Sequence, residues 1–186
     1  ERERDKLKEE VASLREGLAK AVAGQSALEE VRSELTRVRM AAGLIDVKGP
    51  GLEVILDDSK RVTKPSEDPN VFIIHDDDIL KVLNELFAAG AEAIAVNGQR
   101  VVATTEIRCA GPTISVNNTR IAPPIHVLAI GDPEVMEAAL RMRGGVVESL
   151  TFWGIEVRIK RYQEVVVPAY KGSLQFRYVQ PAGGQV

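Results

Sequence analysis

The stretch Asp78 to Arg100, DILKVLNELFAAGAEAIAVNGQR, constrains the fold more than any other part of this 186-residue chain. Ile79, Val82, Leu83 and Leu86 recur at three- and four-residue spacing, so they share one face of a helix that Gly90 is placed to end. Leu83 and Leu86 are expected to face a sheet. From Ala91 to Asn97 the spacing changes to two, with Ala91, Ala93 and Ala95 alternating against Glu92, Ile94 and Val96 as in a strand. Asn97-Gly98 closes that strand with a strong hairpin signal, because both residue types tolerate positive φ. Arg100 to Arg108 is the expected returning strand.

Upstream, the apolar residues Leu7, Val11, Leu14, Leu18, Ala21, Leu28, Val31, Leu35 and Val38 fall at spacings of four and three, with Gln25 polar at the one remaining seam position. This is a heptad seam. Two three-residue steps meet at Gln25, Leu28 and Val31, a stammer that overwinds a supercoil locally. Gly17 and Gly24 weaken the same stretch by about 1 kcal/mol each relative to Ala. The pattern predicts a continuous helix over residues 1–40 that self-associates as a coiled-coil stalk. Because the chain begins at Glu1 already inside this pattern, it reads as a fragment of a longer protein.

The remainder reads as alternating elements. Gly49-Pro50-Gly51 suggests a tight turn ahead of a strand from Gly51 to Asp58, and Ser59 to Asn70 is a polar loop. Val71 to Ile74 is a short strand or the lead into the helix, which Asp76 or Asp77 is placed to cap. Thr113 to Val116 and Ile121 flank an Asn117-Asn118 turn, and Ile125 to Ile130 is a buried strand. Asp132-Pro133 starts a second helix with Val135, Ala138, Leu140 and Met142 as apolar candidates, stopped by Gly144-Gly145. Ile155, Val157 and Ile159 alternate with charged residues in a last long strand, and Leu174, Phe176 and Tyr178 repeat that alternation. The order strand, helix, hairpin, strand, helix, strand predicts an α+β chain, a coiled-coil helix followed by a ferredoxin-like, split β-α-β two-layer sandwich. The expected divisions are a stalk over 1–43, a globular head over 44–180 and a flexible tail over 181–186.

Composition narrows the function classes. A formal charge of −3 argues against nucleic acid as the main partner, and residues 1–43 hold as many basic as acidic side chains, so the whole excess lies in the head. Cys109 is the only cysteine and His75 and His126 are the only histidines, which excludes an intrachain disulfide and leaves little room for a Cys-His or His-His catalytic set. No run approaches the roughly 18 apolar residues that span a bilayer. His75-Asp76-Asp77-Asp78 lacks the ligand spacing of a calcium loop and reads as helix capping. Neither GxxxxGK[ST] nor GxGxxG occurs, so no cofactor, metal or catalytic residue is expected. The suggestive polar set is Glu92, Asn97, Gln99, Arg100 and Asn117, with Thr104, Thr105 and Arg108 beside it. If Glu92 and Arg100 meet across the hairpin, they form a carboxylate-guanidinium fork within a ligand- or partner-binding surface. The same residues otherwise satisfy turn backbone and decorate a sheet face.

Asn84-Glu85, Gly90-Ala91-Glu92-Ala93, Asn97 and Gln99-Arg100 resemble the signature of the bacterial family called domain of unknown function 881. Gly49-Pro50-Gly51, Asp57-Asp58, Thr113-Ile114 with Asn117, Pro123-Pro124 and Ala129-Ile130-Gly131-Asp132 follow in that family's order, so the resemblance covers roughly residues 44–180. It implies a membrane-anchored protein of Gram-positive bacteria, encoded near cell-division genes. In it an N-terminal transmembrane helix leads into a coiled coil and an extracytoplasmic head with a role in division or sporulation. The family has no established activity. Two readings follow. One is a non-catalytic scaffolding module that oligomerises through residues 1–40 and binds a protein of the envelope or divisome. The other is a small polar ligand-binding or enzymatic head using Glu92, Asn97 and Arg100.

Overall fold

The structure, a computed structural model, describes residues 2–62, 64–173 and 175–183. It divides into two compact units, residues 1–42 and 43–186. The first is a single helix, α1 (Arg2–Ala41), unbroken through Gly17 and Gly24. The seam side chains Val11, Leu14, Leu18, Leu28, Val31, Leu35 and Val38 are all exposed along it. Those of Leu7 and Ala21 lie outside the described residues. Among the described residues no helix is long and apolar enough to cross a membrane.

The second unit is a mixed α+β fold with two antiparallel sheets. β1 (Val47–Asp57) pairs with β7 (Ile125–Ile130) on one side and β8 (Glu156–Val167) on the other. β2 (Ala93–Val96) adds to β7, and β3 (Gln99–Arg100) to β2, giving the order β3-β2-β7-β1-β8. The smaller sheet is β4 (Ile107–Ala110), β5 (Thr113–Val116) and β6 (Thr119–Ile121), inserted between β3 and β7. Three helices complete the unit: α2 (Asp76–Ala88), α3 (Pro133–Leu140) and α4 (Val146–Phe152).

One core holds most of the apolar mass. Ile79, Val82, Leu83 and Leu86 of α2, Met136 and Leu140 of α3, and Val146 and Leu150 of α4 pack on Leu52, Val54, Leu56, Ile94, Val96, Val127 and Ala129. All three helices thus cover the same face of the five-stranded sheet. A fully buried aliphatic side chain contributes about 1.5–3 kcal/mol, so this layer carries most of the stability. The opposite face holds a smaller cluster built from strand residues alone, Ala93, Ala95, Ile130, Val165 and Val167. That explains why β2 is buried on both sides.

Several expectations are corrected. The hairpin partner of β2 is two residues long rather than running to Arg108, because the chain leaves the sheet after Arg100 to build the second one. Gly49-Pro50-Gly51 makes no turn and lies inside β1, at a register shift against β8. His75 rather than Asp76 or Asp77 is the N-cap of α2, and Asp78 reaches back to accept from its N–H at 3.0 Å. Val71-Phe72 belongs to a short 3-10 turn, Pro69–Phe72. In α3, Val135 is exposed and Met136 is buried, and Met142 lies beyond the helix. Phe176 and Tyr178 are exposed and outside any strand, and Leu174 lies outside the described residues, as do 184–186 of the expected tail.

Candidate functional site

Three of the family-like segments, distant in sequence, converge at one end of the large sheet. Glu92 N–H donates to the Ile130 carbonyl at 2.8 Å, and Gly131 N–H donates to the Pro50 carbonyl at 3.0 Å, tying β1, β2 and β7 together there. Gly90, at φ +87°, turns the chain out of α2, and Asp132 caps α3 by accepting from Glu134 and Val135 N–H. The result is an open cleft of about 680 Å³, with Lys48, Glu92 and Asp132 as the charged residues of its lining. Its shape comes from glycine. A Cβ on Gly131 would sit 3.3 Å from the Gly90 carbonyl oxygen.

The residues singled out from sequence do not form one constellation. Glu92 is exposed at the cleft, whereas Arg100 is 5% exposed and directed elsewhere. The Arg100 guanidinium donates from Nη1 to the Ile45 and Pro168 carbonyls, both at 3.3 Å, and no Glu92–Arg100 pair exists. Burial lowers the Arg100 pKa, with the Asp46 charge opposing it. Asn117 does come near Arg100, but through the main chain: its Nδ2 donates to the Arg100 carbonyl at 2.8 Å and its Oδ1 is buried without a partner among the described residues. Asn97, at φ +44°, accepts from His126 N–H at 2.7 Å through Oδ1. Asn97, Arg100 and Asn117 therefore hold backbone. Gln99 is half-buried on β3 and Glu92 stands apart.

A different cluster occupies the helix-free sheet face. Glu53 of β1 accepts at Oε2 from the Tyr162 hydroxyl of β8 at 3.1 Å, and its Oε1 lies 2.7 Å from His126 Nδ1 of β7. Lys160 lies opposite Glu53 in the strand register. Burial pushes the Glu53 carboxyl up, but the hydrogen bonds from His126 and Tyr162 and the charges of His126 and Lys160 outweigh it, and the net shift is downward. The bond to Glu53 raises the Tyr162 phenol. A carboxylate with a depressed folded pKa contributes stability that is present above its unfolded pKa, near about 4.3, and lost as pH falls through the folded value. The stability of the native chain against urea should thus fall relative to that of Glu53→Gln as pH is lowered below about 4.3. Parallel pH curves for the two proteins would show that the cluster adds no such linkage. Only Glu53 and His126 hinted at this site, as polar residues set within apolar runs, whereas Tyr162 lies among charged and polar neighbours and carried no such signal.

The fold also brings together Cys109 and His75, a pairing the small His and Cys count had made improbable. Cys109 Sγ lies 3.7 Å from His75 Nδ1, and His75 Nε2 lies 2.8 Å from the Asn70 carbonyl. Burial raises the Cys109 thiol, and the Asp76 and Asp77 charges add to that. The thiolate needed for nucleophilic work is disfavoured. Among the described residues no three His, Cys, Asp or Glu side chains converge as a metal ion requires.

Comparison with known proteins places this geometry in a family. Residues 34–180 match the profile of a bacterial protein of unknown function, DUF881. The UPF0749 protein YlxW of Bacillus subtilis is 36% identical over 135 residues, 73% of this chain and 58% of that protein. The UPF0749 protein Rv1825 of Mycobacterium tuberculosis is 32% identical over 161 residues, 84% of this chain and 51% of that protein. The chain thus spans little more than half the length of these relatives. A crystal structure of an uncharacterized conserved protein from Mycobacterium tuberculosis superimposes with a TM-score of 0.64 at 28% identity, covering 80% of this chain and 99% of that one. With most of its length matched by the profile and by relatives above 30% identity, the chain belongs to the DUF881 family of bacterial proteins of unknown function.

Proposed function

We propose that this chain is a non-catalytic scaffolding module of a membrane-anchored envelope protein, in which α1 self-associates as a coiled-coil stalk and the head binds a protein partner. The observation that carries the reading is the edge of the five-stranded sheet: β8 runs for twelve residues with β1 as its only strand neighbour among the described residues, beside a face without helices. A long unpaired edge is what strand addition by a partner requires. The order β2-β7-β1-β8, with every neighbouring pair antiparallel, supports the ferredoxin-like description of the head. The exposed apolar seam of α1 supports the stalk, since a helix with such a stripe normally buries it against another. Anchoring, an extracytoplasmic head and a link to division or sporulation come from the family resemblance. The alternative of a small polar ligand held by Glu92, Asn97 and Arg100 has less support, because these side chains point to different places.

Sedimentation velocity tests the stalk directly. The full chain should self-associate at micromolar concentration and a chain starting at Ala42 should sediment as a monomer. Monomers in both cases would end the stalk reading. For the head, crosslinking and mass spectrometry on the intact anchored protein in cells should return a protein linked to residues of β8 or the open face. Recovery of stoichiometric bound small molecule at the Glu92 cleft would favour the alternative.

A further inference from the structure

The direction of the backbone groups of β8 from Glu156 to Arg161, ahead of the register shift at Gly49 and Gly51, follows from the bonds on the far side of the sheet. Ile130 and His126 accept from Glu92 and Asn97 N–H, so the even-numbered residues of β7 face β2 and Ile125, Val127 and Ala129 face β1. Their partners Leu56, Val54 and Leu52 face back toward β7, which leaves Asp57, Ile55 and Glu53 to bond β8 at Glu156, Arg158 and Lys160. The N–H and C=O groups of Val157, Ile159 and Arg161 consequently point outward, off the sheet. The side chains alternate with them. Val157 and Ile159 lie on the helix side, half-buried at the margin of the main core, and Arg158 and Lys160 stand exposed on the other face.

Charge distinguishes the possible occupants of this edge. Arg161 is neutralised by Glu137 at 2.6 Å and Glu134 at 3.1 Å, Glu164 by Lys48 and Glu156 by Lys60. Arg158 and Lys160 have no ion-pair partner within 4.0 Å among the described residues. A second copy pairing edge to edge about Ile159 would set Arg158 against Lys160 twice, and like charges directly opposite on a sheet are destabilising. We propose that the β8 edge takes an extended acidic segment of a partner protein as a sixth strand, with carboxylates at alternate positions facing Arg158 and Lys160 and apolar residues between them covering Val157 and Ile159. Main-chain bonds at Val157, Ile159 and Arg161 hold the strand, and the two cations select it. This rests on the reading of the head as a protein-binding module and adds the chemistry of the partner.

A blocked peptide of about nine residues alternating glutamate and valine is the probe, titrated into the full chain by fluorescence anisotropy and followed by amide hydrogen exchange. Saturable binding with new protection at the Val157, Ile159 and Arg161 amides is expected, weakening as salt is raised. Replacing each glutamate in the peptide by lysine should weaken binding about tenfold or more, and Arg158→Glu with Lys160→Glu should reverse that preference. The lysine peptide tests selectivity on the native protein, so the inference does not depend on the variant folding. Equal binding of both peptides, binding without protection at those three amides, or no binding overturns it. Crosslinks from the intact protein to a partner at another surface would overturn it while leaving the scaffolding reading intact.

Discussion

Gly51→Ala is expected to abolish cooperative folding of the head or to lower its stability by about 3 kcal/mol or more, the upper range for forced overpacking. Gly51 lies in β1 between β7 and β8, opposite Ile130 and Tyr162. A Cβ there would stand 2.0 Å from the Ala129 carbonyl oxygen and 2.7 Å from Val165 Cγ2. The valine could rotate away, but the carbonyl belongs to the backbone of the central β1–β7 ladder. Relief therefore means breaking register at the middle of the sheet. Circular dichroism with urea denaturation reads the effect, and Gly17→Ala in α1 is the control, since nothing lies within 4 Å of that position. A Gly51→Ala protein as stable as the native one would mean that β1 and β7 are farther apart than described.

Arg100→Ala should cost about 3 kcal/mol, and Arg100→Lys should recover only part of it. The guanidinium reaches the Ile45 and Pro168 carbonyls from a position 5% exposed, so truncation leaves two part-buried acceptors without that donor and removes the packed stem. Gly43 lies over the same side chain, where a Cβ would be 3.4 Å from Arg100 Nε. The measurement is urea unfolding of native, Arg100→Ala and Arg100→Lys chains. A loss below about 0.5 kcal/mol, typical of surface sites, would return Arg100 to the surface. The expected loss reverses what the sequence suggests, because polar letters beside an Asn-Gly turn read as exposed until the segments around Ile45 and Pro168 are seen to close over them.

What the sequence determined by itself is the set of features whose signal is local. The three- and four-residue spacing of Ile79, Val82, Leu83 and Leu86 specifies the buried face of α2 whatever it packs against. Asp132-Pro133 specifies the start of α3 because the carboxylate and the ring act within one turn. Asn97-Gly98 and Asn117-Asn118 specify turns because their positive φ is a property of the residues there. The apolar run Ile125 to Ile130 coincides with β7 for the same reason. The tertiary structure alone decided everything that depends on which strands become neighbours. It buried Ala93 and Ala95 on the second face of β2, placed Met136 rather than Val135 in the core, and drew Gly49 and Pro50 into β1. It separated Glu92 from Arg100 and assembled Glu53 with His126 and Tyr162, partners 73 and 109 residues away. Periodicity assigns a residue to a face of its own element, but contact across elements is set by the strand order and register, which no local pattern encodes.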